Sequence, residues 1–107
     1  MAKLQQGSVV WGDLAGPVGH RPVVILTRDS AIGRLNGITV APITRTIRHA
    51  KTEVVLEPID GVPEICVISL DNIITVPRVS LGSVIAILGR DRMQQVFGGI
   101  RAAFDMP

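Results

Sequence analysis

At 107 residues with 47% apolar side chains, the chain suits one domain over 1–107, too short for two cores and too apolar for disorder. No run approaches the ~20 apolar residues of a membrane span, and Met1-Ala2-Lys3-Leu4-Gln5-Gln6 has no apolar stretch of the secretory kind. The lone Cys66 excludes an internal disulfide, so with a net charge of only +2 the expectation is a cytoplasmic protein without a membrane partner.

Short apolar runs broken by Gly, Pro and Asp recur along most of the sequence. Ser8–Leu14, with Val9, Val10 and Trp11, reads as a first strand, and Ala15-Gly16-Pro17-Val18-Gly19 as a tight connector. Arg21–Thr27 is a second strand whose start Pro22 presets. Asp29–Gly37 is too mixed for a strand and suits a short helical turn. Ile38–Thr44 and Glu53–Leu56 follow as strands, then turn chemistry at Pro58-Ile59-Asp60-Gly61-Val62-Pro63. Ile65–Leu70 and Ile73–Val76 continue the sheet, interrupted near Asp71-Asn72, and Leu81–Leu88 holds a further strand. Beyond it the apolar period changes from two to about 3.6. Met93, Val96, Phe97, Ile100, Ala103 and Phe104 share one helical face, which reads as core, with Gly98-Gly99 inside the helix allowing a close approach. Antiparallel strands closed by one C-terminal helix predict a mainly β, α+β fold: a small, strongly curved barrel or half-barrel with the helix packed across it.

Charge is segregated along the chain. Residues 20–51 carry Arg21, Arg28, Arg34, Arg45, Arg48 and Lys51 against Asp29 alone, and residues 52–77 carry five acids and no Lys or Arg. The basic block suits a polyanion; equally, strands can bring it against the acidic block as mutual ion pairs. Within it, Gly19-His20-Arg21-Pro22 sets a permanently charged fork and an imidazole at the head of an apolar strand. Pro42-Ile43-Thr44-Arg45 ends another strand in a hydroxyl and a guanidinium. The plainer reading of both motifs is strand-end polarity satisfied by solvent or a carboxylate.

Several chemistries lack their residues. There is no phosphate-cradling glycine loop, no paired Cys/His spacing for zinc and no Gly-x-Ser-x-Gly elbow, and His20 and His49 lie on separate segments without clustered acids. Cys66, inside Ile65-Cys66-Val67-Ile68, reads as core filler. RNA cleavage without metal or cofactor stays open: it needs a proton acceptor, a donor for the leaving oxygen and cations on phosphorus. Were RNA the substrate, Trp11 would still read as core or dimer packing ahead of base stacking, and affinity would lean on Arg28, Arg45 and Arg48.

Val9-Val10-Trp11-Gly12-Asp13, then Gly-His-Arg-Pro-Val-Val-Ile-Leu at 19–26, then Ala-Pro-Ile-Thr at 41–44 resemble the MazF/PemK family of toxin ribonucleases. Val67–Val76 is similar to a strand of that family, and the closing amphipathic helix matches too. The resemblance implies a homodimeric, SH3-like barrel that cuts single-stranded RNA at short sequences without a metal. Its products would carry a 2′,3′-cyclic phosphate and a 5′-hydroxyl, and a small, partly disordered antitoxin would hold it in check. Arg21 would then stabilise the phosphate and transfer a proton, and Thr44 would hold a phosphate oxygen. The chain departs from the family in its short first loop, which lacks a glutamate proposed elsewhere as base. His20 is the substitute, or else a structural or RNA-contacting residue, and Asp13 is the other nearby carboxylate, also readable as a hairpin anchor. The alternative is a non-enzymatic toxin on the same barrel that inhibits a DNA gyrase subunit through its last helix and tail.

Overall fold

Why the apolar runs are continuous becomes plain once the strands are placed. The computed structural model describes residues 3–107; Met1 and Ala2, part of the opening segment read for export, lie outside them. The strands are β1 (Ser8–Leu14), β2 (Gly19–Ile25), β3 (Gly37–Thr44), β4 (Glu53–Leu56), β5 (Cys66–Ser69), β6 (Ile74–Pro77) and β7 (Leu81–Ile87), with helices α1 (Asp29–Ile32) and α2 (Arg90–Ala103). All pairings are antiparallel, in the order β4-β5-β3-β2-β1-β7, with β6 also on β3.

β3 makes the curvature. Along one edge it pairs with β2; along the other, Gly37–Val40 pair with β6, whereas Ile43 and Thr44 pair with β5. The strand therefore leaves one half of the sheet for the other, and the sheet folds around it with a core on each side. Val9, Val24, Ala41, Ile43 and Ile68 pack on one side; Val10, Val23, Ile25, Ile38 and Val40 pack on the other. Consecutive residues Val23, Val24 and Ile25 are all fully buried, so the second half of β2 is apolar on both faces, while its first half carries His20 and Arg21. Each such side chain contributes about 1.5–3 kcal/mol of transfer free energy. The sheet is curved as expected but stays open, with β4 and β7 at its ends.

Helix α2 lies against β4 and the turn Leu70–Asn72. Gly99 permits this, because a Cβ there would run into the Leu70 side chain; at Gly98 a Cβ would meet open space. The expected core stripe is only partly seated. Val96 is fully buried and Met93 and Ile100 pack beside it, but Phe97 is 38% and Phe104 63% exposed. At about 100° per residue Phe97 is swung well away from Val96, and Phe104 follows the last helical residue. Trp11 is no core residue either: beyond the buried Val9 and Val10 its side chain is 40% exposed.

Arg92 anchors the helix. Its guanidinium bonds both Asp60 carboxylate oxygens at 3.1 Å and Glu57 Oε1 at 3.2 Å, tying α2 to the turn after β4. Burial pushes the Asp60 carboxyl up, but the Arg92 hydrogen bonds, the Glu57 backbone N–H and the Arg92 charge outweigh it and hold the group below the ordinary carboxylate range. Arg92 is correspondingly raised, chiefly by its hydrogen bond to Asp60. No described helix is long and apolar enough to cross a membrane.

Candidate active site

The register of β2 on β3 brings Arg21 and Thr44 together. Val24 faces Ala41 and Val23 faces Pro42. Two further steps along both strands set Arg21 opposite Thr44, on the same face as Val23 and Pro42 because strand side chains alternate. Both side chains line a cleft of about 630 Å³, shared with Pro42, Arg48, Ser69 and Asp71. On the other side of the same strand ends lies a second hollow of about 540 Å³. Arg21, Thr44 and Thr46 border both, forming the ridge between them.

Arg21 is half-buried and pre-aimed. Its Nε–H donates to the Val18 carbonyl at 2.8 Å, in the 3₁₀ turn Gly16–Val18 that shortens the β1–β2 connection. This fixes the guanidinium while neither terminal nitrogen makes a hydrogen bond or ion pair among the described residues. Two donors on a planar fork suit a phosphate's non-bridging oxygens. Thr44 Oγ1 accepts the Thr46 backbone N–H at 3.2 Å, a bond that leaves its hydroxyl proton available.

Two acids that the sequence reading passed over share the cleft. Glu53 Oε1 accepts the backbone N–H groups of Arg48 at 3.0 Å and Ala50 at 3.2 Å. These bonds bracket His49, which has the positive φ of 58° uncommon outside glycine. Glu53 thus shapes the loop that carries Arg48 to the cleft. Asp71 Oδ2 accepts the Thr52 hydroxyl at 2.6 Å, and its Oδ1 has no hydrogen-bond partner among the described residues. Asp71 reaches the site because β5 pairs with β3 (Thr44 faces Val67) and the chain then turns at Leu70–Asn72. No local pattern announces that long-range pairing; the only signal was the break near Asp71-Asn72.

The other expected site residues separate. His20 and Arg45 line the second hollow, with Arg21 and Thr44 at its rim. The His20 ring stacks on Trp11, centroids 4.9 Å apart and planes within 5°. Arg45 pairs with Glu64 at 3.1 Å, both side chains well exposed, a contact worth at most about 1 kcal/mol. Asp13 faces His20 across the β1–β2 ladder, and Arg28 precedes α1; neither lines the cleft or the hollow. Arg28 follows the far end of β2 from Arg21, so their charges do not converge. Cys66 is buried in the first core as expected, and burial first, then the Glu64 and Asp60 charges, push its thiol up, away from thiolate chemistry. Among the described residues no group of three or more His, Cys, Asp or Glu is placed to hold a metal.

Known proteins are similar to this chain in sequence and fold. Residues 5–104 match the model of a PemK-like, MazF-like toxin of type II toxin–antitoxin systems. The probable endoribonuclease MazF5 of Mycobacterium tuberculosis is 40% identical over 101 residues, covering 94% of this chain and 92% of that one. Endoribonuclease MazF3 of the same organism is 40% identical over 86 residues, covering 80% and 84%. Among solved structures, M. tuberculosis toxin MazF-mt6 superposes with a TM-score of 0.87 at 35% identity, covering 94% and 98%. A mycobacterial endoribonuclease solved with its cognate antitoxin shares the fold, with a TM-score of 0.86 at 22% identity over 98% of each chain. On the family match and on kinship along nearly its whole length, the chain belongs to the PemK-like, MazF-like toxins of type II toxin–antitoxin systems, as an endoribonuclease of that family.

Proposed function

We propose that the chain cuts single-stranded RNA at short sequences, without a metal, by internal transesterification at the cleft between β2 and β3. The observation that carries this is the shared wall of Arg21 and Thr44, with Arg21 held by Val18 and its fork uncommitted. In this reaction the ribose 2′-oxygen attacks phosphorus and the bond to the 5′-oxygen breaks, leaving a 2′,3′-cyclic phosphate and a 5′-hydroxyl. Arg21 places N–H donors on the non-bridging oxygens and gives a proton to the departing 5′-oxygen, an uncommon acid in view of the high reference pKa of guanidinium. Thr44 donates its hydroxyl proton to a phosphate oxygen. Arg48, in the same cleft, adds charge that a metal supplies in other nucleases.

For the acceptor of the 2′-hydroxyl proton we place Asp71 ahead of His20. Asp71 lies on the same wall system as Arg21 and Thr44 with one oxygen uncommitted, whereas His20 opens on the hollow behind the ridge. Arg45 and Arg48 contact RNA on the two sides of the ridge.

A relative solved with its cognate antitoxin supports the following physiological context. A cognate, partly disordered antitoxin with acidic and apolar segments would cover the cleft and exclude RNA. The working form is a homodimer in the cytoplasm. The gyrase alternative needs only the exposed tail and has no use for the Arg21–Thr44 wall. Wild type, Arg21→Ala and Thr44→Ala are compared on a long single-stranded RNA in EDTA, with the fragment ends analysed. Discrete wild-type fragments bearing 5′-hydroxyl ends, lost in both variants, are expected. Intact RNA with wild type, or toxicity lost on removing Asp105–Pro107 but kept in Arg21→Ala, would sink the nuclease reading.

A further inference from the structure

We propose that the stacked rings of Trp11 and His20 form a seat for one unpaired RNA base beside the scissile phosphate; the site rests on the nuclease reading above but is tested apart from it. Trp11 faces Pro22 across the β1–β2 ladder, and Pro22 follows Arg21. The indole is therefore one residue from the phosphate-holding fork, within the reach of a single nucleotide. A large aromatic side chain left 40% exposed, parallel to a second exposed ring, presents a flat outer face of the kind bases stack on.

The rest of the hollow suits a base better than a phosphate. Its floor is apolar, from Val9, Ile43 and Val62, and its rim holds the exposed Arg45–Glu64 pair. That pair sets N–H donors beside a carboxylate acceptor, the mixed edge that a base's own donors and acceptors require. Continuity settles the occupant. The hollow shares Arg21, Thr44 and Thr46 with the catalytic cleft, so a strand whose phosphate sits on the ridge delivers a neighbouring base into the hollow. Stacking is tolerant of base identity, whereas the Arg45–Glu64 edge discriminates, so this hollow reads sequence on one side of the cut.

Trp11 is the sole tryptophan, so its emission reports this site alone. The full-length wild-type chain is titrated with random-sequence hexamers of 2′-O-methyl RNA, which lack the attacking hydroxyl, and with abasic hexamers of the same backbone. Base-bearing hexamers are expected to quench the emission saturably while abasic ones do not. Trp11→Ala should weaken hexamer binding about tenfold, in the range for loss of one stacked base, and Trp11→Phe should recover part of it. Equal response to the two hexamers overturns the proposal, as does blue-shifted emission indifferent to both, which would mean that a second copy of the chain covers the ring. The titration needs no cleavage and no variant. Wild type that cuts RNA but is not quenched removes the base seat only; wild type that is quenched but leaves RNA whole keeps the seat and removes the nuclease reading.

Discussion

Two arginines in this small fold show opposite ways of using one side chain. Arg92, on α2, spends its fork on three carboxylate oxygens of Glu57 and Asp60. Arg21, at the head of β2, gives one N–H to a backbone carbonyl and keeps the rest free. The difference lies in the partners. A guanidinium paired with carboxylates is neutralised and becomes a strut; one fixed by a neutral carbonyl keeps its full charge and its geometry. Such a group is pre-organised for an anion the protein does not itself supply. The contrast is testable: changing Arg21 should affect chemistry without stability, and changing Arg92 should do the reverse.

The largest effect is expected at the ridge. Arg21→Ala should lower kcat by about 10³-fold, combining the loss of a charge stabiliser and a proton donor. Its melting temperature should match wild type, since among the described residues the only side-chain bond lost is one to Val18. Thr44→Val should cost about 10²-fold in kcat, the lower range for one removed donor. Single-turnover cleavage beside a thermal melt checks both, and a Tm that falls with Arg21→Ala would erase the distinction drawn above. Asp71→Asn against His20→Asn then assigns the proton acceptor, with the larger loss of kcat expected at Asp71.

How much of this was legible beforehand depends on range along the chain. The strands from β1 to β7 follow from local composition, and Glu53–Leu56 has the expected bounds. Arg21 and Thr44 stand out because Arg21 heads one apolar run and Thr44 closes another, each within a motif. Asp71 and Glu53 do not: their place is set by β5 pairing with β3 and β4, and no nearby residue encodes such a pairing. Segregated charge suggests that the acidic block pairs with the basic one, yet only Arg45–Glu64 joins the two through side chains; Glu53 takes backbone N–H groups instead. The helix periodicity found Val96 but overcounted Phe97 and Phe104. A 3.6 period defines a face without saying how wide a strip the sheet covers.

A smaller effect, on stability alone, is expected from the strut. Arg92→Ala should cost about 1–2 kcal/mol, below the figure for a fully buried pair because Glu57 is half in solvent. Cleavage per folded molecule should stay at the wild-type level, since Arg92 lines neither the cleft nor the hollow. Urea unfolding and active-site-normalised cleavage together decide it; a loss of kcat at unchanged stability would place Arg92 in the chemistry after all.

The smallest effect is the pH dependence that the same strut imposes. Asp60 is held below its ordinary carboxylate value, so the folded state binds its proton less readily than the unfolded chain does. Its contribution is therefore complete above the unfolded value of about 4 and fades as pH falls through the lower folded value. Asp60→Asn removes that titration while keeping the shape of the side chain. The stability gap between wild type and Asp60→Asn, measured by urea unfolding, should be constant from neutrality down to about pH 5 and close progressively below about pH 4. A gap that survives undiminished into acid would mean that the turn before Gly61 depends on the shape of residue 60 rather than its charge. Arg92 would then owe its place to packing along its stem, and its contrast with Arg21 would become one of burial instead of neutralisation.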